Sequence, residues 1–481
     1  MKKTKIICTL GPSSLDEKTM REMLLAGMNV ARINLSHGTK ERREKMIDTF
    51  RKVRDQLNMP AAVLLDTRGP EIRVKNFKNG HEILKDGQMF TITTREVEGT
   101  NEIVSVTYKN FAKEMEIGDV VLINDGKIII NVTETTDTDV TGKVIHGGVI
   151  SDHKGINLPD KDIKMEYLSK SDKEDLLFGI EKDIDYVAAS FIRNVDDLIA
   201  LRNFLYINGG QNIKIIAKIE STQGVKNFEE ILEVADGIMI ARGDMGVELA
   251  YEKLPGIQKR FIKRCVQAGK IVITATQMLE SMITTPVPTR AEITDVANAV
   301  FDGTTAVMLS GETAAGDFPV ESVNVMSRIA MQAEQDMRSD IRSREPVWHD
   351  MDVHDVTNAV AHGACTLAKD IDAKGIMAVT KTGYTAARIS KFRPDTMIIG
   401  ATPYEKAYHQ MSLMWGVEPI MANYRADINE LFSHFARKAI RQSILDEGDK
   451  LVITAGLPVD IRGNTNMIRV ITATMDGASE K

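Results

Sequence analysis

Residues 213–220 read IKIIAKIE and residues 237–243 read GIMIARG. Both stretches are short and almost wholly apolar, without the alternation of a half-exposed strand, and both end in residues that can do chemistry. Strands buried on both faces of a parallel sheet read this way. Six further segments follow the pattern: 4–10 (TKIICTL), 28–35 (MNVARINL), 61–67 (AAVLLDT), 186–191 (YVAASF), 270–276 (KIVITAT) and 306–311 (AVMLSG). Helical stretches lie between most of them. Eight strand–helix alternations are the count of a (β/α)8 barrel, whose active site sits at the carboxyl ends of its strands. At those ends the chain carries Arg32, Asn34, Ser36, Asp66, Thr67, Lys218, Glu220, Asp244, Thr276, Ser310 and Glu312.

The rhythm breaks once. Between Thr67 and Tyr186 the gap is far longer than one strand–helix unit, so 71–168 is read as an insert. It reads as all-β, with pieces at 89–93, 120–123, 127–133 and 142–146, and turn signals at Asn79-Gly80, Asp86-Gly87, Gly118-Asp119, Asp125-Gly126 and Gly147-Gly148. The barrel is assigned to 1–70 and 169–340. It resumes in a helix that Ser171 and Glu174 are expected to cap. Its last helix is expected from about Val320 to Met337, entered at Pro319. Residues 338–351 read as a linker. Within 350–481, helices at 353–369, 385–392, 404–414 and 427–443 alternate with strands at 375–380, 397–402, 417–421, 450–455 and 467–473, the pattern of a doubly wound α/β sheet.

Bulk properties narrow the class. The 481 residues correspond to about three domains, and 43% hydrophobic with 27% charged residues is ordinary for a soluble globular protein. A net charge of −7 argues against a nucleic-acid surface while leaving room for a basic phosphate pocket. Cys8, Cys265 and Cys365 are odd in number, widely spaced and outside any metal-ligand pattern, which fits reduced thiols in the cytoplasm. The apolar stretch after MKKTK is too short for a signal peptide, and no run approaches the roughly 20 residues that span a bilayer. The 25 methionines are read as core filler.

Lys218 and Glu220, two apart on a strand, share one face. Alone they fit a structural ion pair as well as a metal-binding carboxylate beside an anion-stabilising cation. Asp244, in the ARGDMG turn after the next strand, adds a second carboxylate, and two carboxylates completed by water and substrate oxygens suit Mg2+. Asp244 also fits an N-cap whose neighbouring amides could hold a substrate carboxylate. Asn34, Ser36, Asp66 and Thr67 bring neutral oxygens and one carboxylate, a set suited to a large monovalent cation. Turn capping by Asn34 and Ser36, and an Asp66–Arg pair, are the structural alternatives. Arg32 and Arg73 could fork onto phosphate oxygens. Thr276 and Ser310 fit structural hydroxyls or proton-relay and substrate contacts.

Nine long strings carry a family resemblance in order and spacing: KIICTLGPSS, VARINLSHG, LLDTRGPEIR, GINLP, IIAKIESTQG, IMIARGDMGVE, TATQMLESM, PTRAEITDVANAVFDG and VMLSGETAAGDFP. Over essentially its whole length the chain resembles the pyruvate kinases. The resemblance implies a (β/α)8 TIM barrel, a small inserted β-barrel lid, and a C-terminal doubly wound regulatory domain. It implies phosphoryl transfer from phosphoenolpyruvate to ADP, giving pyruvate and ATP. In those terms Glu220 and Asp244 match Mg2+ ligands, and Asn34, Ser36, Asp66 and Thr67 match a K+ site. Lys218 matches the lysine that stabilises the phosphoryl group in flight. Arg32 and Arg73 match contacts to the transferring phosphate and nucleotide. Thr276 matches a threonine near the enolate carbon, with Ser310 in the proton-relay region. His37 and Gly243 join the substrate and nucleotide contacts, and Lys154, beside GINLP, fits either a substrate contact from the lid or a solvated surface lysine. Glu71 matches the glutamate associated with K+ dependence; members with Lys there resemble K+-independent enzymes. Arg68 stands where many members carry Lys.

The resemblance further implies a homotetramer and a phosphorylated allosteric effector, for which Thr380, Lys381, Thr382, Gly383 and Thr385 could form a phosphate cradle or an ordinary strand–helix turn. Tyr384 stands where several sugar-bisphosphate-regulated members carry Arg, and 456–464 (GLPVDIRGN) lacks their Trp-Arg-Pro pattern. The extra C-terminal module of some bacterial members is expected to be absent. Two competing readings, a Mg2+-dependent lyase of the phosphoenolpyruvate superfamily and a non-catalytic sugar-phosphate sensor, predict the loss of the insert or of a residue such as Lys218 or Asp244.

Overall fold

The computed structural model describes residues 2–339, 355–421, 423, 427–456 and 465–475. The expected linker beyond 339 and the loop 457–464 lie outside the described residues. Eight parallel strands close into a barrel: Lys5–Thr9, Val30–Asn34, Ala62–Asp66, Tyr186–Ala189, Lys214–Ile219, Gly237–Ala241, Ile271–Ala275 and Ala306–Leu309. The last pairs with the first, Lys5 opposite Ala306.

The apolar runs become strands because both faces are buried. Alternate residues divide between two cores. Ile7, Val30, Leu64, Tyr186, Ala188, Ile216, Met239 and Met308 fill the interior. Ile6, Cys8, Ala31, Leu65, Val187 and Ala217 pack outward against the helices. This parity sets what reaches the mouth. Two residues beyond an interior position faces inward again, so Thr9, Arg32, Asp66, Ser190, Lys218 and Ser310 share the inward parity, and Glu220 follows Lys218. The opposite end is closed by the C-terminal part of the chain. Leu413 joins the interior cluster, the Tyr186 hydroxyl donates to Gln410 O (2.5 Å), and Gln410 Nε2 donates to the carbonyls of Asp185 and Asn212.

The helix after the insert is Lys170–Glu181, and its capping box is Ser169 with Asp172, not Ser171 with Glu174. Tyr167 and Leu168 are buried immediately before it, so the chain turns into the helix two residues sooner. Asp172 also accepts from the Gly69 amide (3.2 Å), tying the departure to the insert to the helix that follows it. The last barrel helix, Pro319–Ser339, starts at the expected proline.

The insert builds a seven-stranded sheet in the order Ile72–Arg73, Gly155–Asn157, Val120–Ile123, Ile128–Thr135, Asp139–His146, Met89–Thr93, Ile103–Ser105. One antiparallel bridge, Val74 to Val106, joins the two outer strands and curls the sheet on itself. Its core, including Val74, Phe77, Phe90 and Phe111, is separate from that of the barrel. The C-terminal sheet runs Val417–Met421, Met397–Thr402, Gly375–Val379, Lys450–Ala455, Met467–Thr472, with only the last pair antiparallel. Phe432 and Phe435 cover one face, and Ala361, Ala364 and Ile389 the other. Strand order reverses at Gly375–Val379, so the loop after it stands at the topological switch point, where such sheets bind ligands.

Gly11 follows the first strand where a Cβ would lie 2.3 Å from Ala314 O, on the short helix after the eighth strand. Gly11→Ala forces these segments apart, and the expected loss is about 1–3 kcal/mol. Gly256, exposed in the first turn of the helix Leu254–Ala268, faces open space, so Gly256→Ala is expected to stabilise by about 0.5–1 kcal/mol. Thermal midpoints moving in opposite directions check both.

Candidate active site at the barrel mouth

Four buried ionic side chains form one chain of contacts across the mouth. Arg32 Nε meets Asp66 Oδ2 at 2.6 Å, and its Nη1 donates to Thr9 Oγ1 at 2.8 Å. Lys218 Nζ meets Asp66 Oδ1 at 2.9 Å and Glu220 Oε1 at 3.0 Å, and donates to Ser190 Oγ at 2.7 Å. Glu220 Oε2 accepts from the Phe191 amide at 2.6 Å. Burial would raise the Asp66 carboxyl, but the Arg32 and Lys218 cations hold it below its ordinary value. Burial likewise opposes the Lys218 ammonium, which Asp66 and Glu220 keep above its ordinary value.

The formal charges of Arg32, Asp66, Lys218 and Glu220 cancel, and Asp244 then adds a negative charge. Burial pushes Glu220 up to about 7, against the pull of Lys218 and with the help of Asp244 and Asp66. A carboxylate pair so short of positive charge fits a cation. Among the described residues no cluster of three or more His, Cys, Asp and Glu forms a self-sufficient metal cage, so the donor set fits a metal that keeps water or substrate oxygens.

Asp244 lies in the first turn of Arg242–Glu248. Beside it the Gly243 amide donates to Thr276 Oγ1 (2.9 Å), whose hydroxyl donates to Ala275 O (2.7 Å). Thr276 and Gln277 hold φ of 67° and 53°, a left-handed conformation that is strained above all for the β-branched Thr276. Arg242 braces this turn through the carbonyls of Ala275 and Thr276 and an ion pair with Asp295. Ser310 precedes a short helix, and its amide donates to buried Glu312 (2.7 Å), which also accepts from the Leu279 amide.

Other expected residues are more dispersed. Asn34 Oδ1 accepts from the Ser36 amide at 3.0 Å, the turn-capping arrangement. Thr67 Oγ1 accepts from the Ser190 amide, while its carbonyl accepts from Ser190 Oγ at 2.7 Å. Arg73 lies on the insert, where it pairs with Glu71 and donates to His153 O at 2.7 Å. Glu71, Arg73, Lys154, Asp244 and Glu248 line a cleft of about 250 Å3 between insert and barrel. His37 follows the second strand, and its carbonyl accepts from Arg43.

Three contributors escape a reading by residue type. Thr9 holds Arg32. Glu248 accepts from the Thr222 amide (3.0 Å) and from Asn157 Nδ2 (3.3 Å), joining barrel to insert. Ser190 touches both Lys218 and Asp66. The signal for Ser190 is parity alone: it stands two past Ala188 at the end of the fourth apolar run.

In the C-terminal sheet, Gly383 (φ 82°) opens the helix Tyr384–Lys391, and its amide donates to Thr380 Oγ1 (3.1 Å). Thr385 Oγ1 meets Thr465 Oγ1 at 2.8 Å. Lys381 and Thr382 lie in the same loop, and Thr382 O accepts from Lys214 at the start of the fifth barrel strand.

A closed parallel barrel with a buried Lys–Glu pair, an adjoining carboxylate and an inserted β lobe lining the cleft at its mouth has the architecture of a (β/α)8-barrel enzyme. The family profile "Pyruvate kinase, barrel domain" matches residues 1–323, and "Pyruvate kinase, alpha/beta domain" matches 358–471. The pyruvate kinase of Clostridium perfringens is 44% identical over 471 residues, covering 98% of this chain and 99% of its own. That of Staphylococcus aureus MRSA252 is 43% identical, covering 98% of this chain and 80% of its own. The crystal structure of a pyruvate kinase from Cryptosporidium parvum superposes with a TM-score of 0.90 at 38% identity, covering 98% of this chain and 96% of that one. The chain belongs to the pyruvate kinase family. Its activity is phosphoryl transfer from phosphoenolpyruvate to ADP, giving pyruvate and ATP, in a family that uses metal ions. Among the described residues no helix is long and apolar enough to cross a membrane.

Proposed function

We propose that this enzyme requires both Mg2+ and K+, with Glu220 and Asp244 as the Mg2+ ligands and Asn34, Ser36, Asp66 and Thr67 as the K+ ligands. The observation that carries this is the charge balance of the mouth, neutral through Arg32, Asp66, Lys218 and Glu220 and negative once Asp244 is added. When bound, the two cations supply positive charge to the phosphate and enolate oxygens. A loose phosphoryl transition state needs such charge around its equatorial oxygens rather than a covalent catalyst.

Lys218 has three N–H donors, and Asp66, Glu220 and Ser190 accept all three. A substrate oxyanion taking the place of Glu220 gains one of them, while the other two keep the ammonium aimed. Arg73, on the insert, adds charge once it turns from Glu71 to a phosphate oxygen, and Arg32 does so from the barrel side. His37, Lys154 and Gly243 are assigned to substrate and nucleotide binding, the Gly243 amide standing beside Asp244. Thr276 and Ser310 are assigned to protonation at the enolate carbon. The insert, which lines the cleft with Arg73 and Lys154, acts as a lid that keeps water from the phosphoryl group. The loop of Thr380, Lys381, Thr382, Gly383 and Thr385 is assigned to a phosphorylated effector, in a cytoplasmic homotetramer.

The test is pyruvate formation from phosphoenolpyruvate and ADP with Mg2+, in K+ and then in tetramethylammonium at equal ionic strength. Turnover only in K+ is expected, and Glu71→Lys is expected to relieve the requirement, because members with Lys at this position resemble K+-independent enzymes. Equal turnover in both salts would remove the monovalent site from the mechanism.

A further inference from the structure

We infer that Ser190 is a positioning residue that couples the monovalent-cation site to Lys218. The inference rests on the reading that Asp66 and Thr67 hold K+. The Ser190 hydroxyl accepts from Lys218 Nζ at 2.7 Å and faces two acceptors, Thr67 O at 2.7 Å and Asp66 Oδ1 at 3.2 Å. It owns one proton and can satisfy only one of them at a time.

Thr67 Oγ1 already accepts from the Ser190 amide and lies 3.4 Å from Ala188 O. The Thr67 hydroxyl and its carbonyl oxygen, the one Ser190 touches, each keep one lone pair for a cation. A cation seated on that carbonyl and on Asp66 draws on the acceptors between which the Ser190 proton chooses. Ser190 and Asp66 are also the two contacts Lys218 keeps when a substrate oxyanion replaces Glu220. The direction of the freed N–H is thus set by a hydroxyl whose own partner depends on the cation. All of these groups are buried, and hydrogen bonds to charged groups are strongest there.

Removing only the hydroxyl separates this role from a structural one. The Ser190 carbonyl, which accepts from Tyr167 at 3.0 Å, and its amide stay in place in Ser190→Ala. In the full-length enzyme, Ser190→Ala is expected to lower kcat about ten- to a hundredfold, as loss of a hydrogen bond to a charged group does, with KM for phosphoenolpyruvate moving by less than about threefold. Tl+ serves as the probe of the cation site without substrates, read by 205Tl line broadening. Its affinity is expected to rise on the order of tenfold in Ser190→Ala, which frees both acceptors for the cation, about 1.4 kcal/mol, and to return to the wild-type value together with kcat in Ser190→Thr, which restores the hydroxyl. Unchanged kcat or unchanged Tl+ affinity in a Ser190→Ala protein with wild-type thermal midpoint would overturn the coupling. Recovery of neither in Ser190→Thr, with its fold intact, would do the same. A wild-type enzyme that binds no Tl+ and needs no K+ would remove the cation site itself, a failure told apart because it shows before any variant is made.

Discussion

Lys218→Met is expected to abolish phosphoryl transfer, with kcat down about 10^3- to 10^5-fold, the range for losing a cation that stabilises such a transition state. Phosphoenolpyruvate binding should change only a few-fold, because the ammonium is held by Asp66, Glu220 and Ser190 in the ground state and gives its full charge to substrate as the phosphoryl group moves. Methionine nearly matches lysine in length but leaves Asp66 and Glu220 facing each other without their shared cation. Breaking a buried pair costs about 3–5 kcal/mol, so a lower thermal midpoint accompanies the lost turnover. Single-turnover quench and calorimetric titration of phosphoenolpyruvate separate the two effects. Lost binding with preserved turnover would contradict the role given to Lys218.

Glu220→Gln is expected to weaken Mg2+ or Mn2+ binding by at least about thirtyfold, since truncating one member of a buried charged contact costs about 2–5 kcal/mol. The wild type supplies a second signature. Without metal, burial and then the balance of Lys218 against Asp244 and Asp66 hold Glu220 at about 7, above the ordinary 4.5. Protons therefore compete with the cation, and wild-type Mn2+ affinity should fall about tenfold per pH unit below about 7. The sign for stability runs the other way. A raised folded-state value makes the metal-free fold's share from Glu220 complete below pH 4.5 and lost as the pH rises through about 7. Metal binding cancels that loss above neutrality. Glu220→Gln should show neither dependence, and Mn2+ electron paramagnetic resonance titrations from pH 5.5 to 8.5 measure it.

The sequence made the barrel legible because burial on both faces removes the alternation of a half-exposed strand. Parity made much of the mouth legible too: Lys218 and Glu220 share a strand face and lie 3.0 Å apart. Local signals were less secure. Ser171 and Glu174 have capping-box spacing, but the buried Tyr167 and Leu168 pull the helix start to Ser169. Ser190 carries no charge, so only its neighbours in space give it weight.

What the sequence determined by itself were the properties that depend on near neighbours along the chain: which segments are strands, which residue ends each, which side chains share a face, and where the insert interrupts the barrel. Tertiary structure alone decided which ends meet. Asp66 and Lys218 are 152 positions apart and bond at 2.9 Å, because closure sets strands three, four and five side by side. The partner of a buried charge is chosen by which groups lose their water together. That depends on distances across the barrel, which no local pattern encodes.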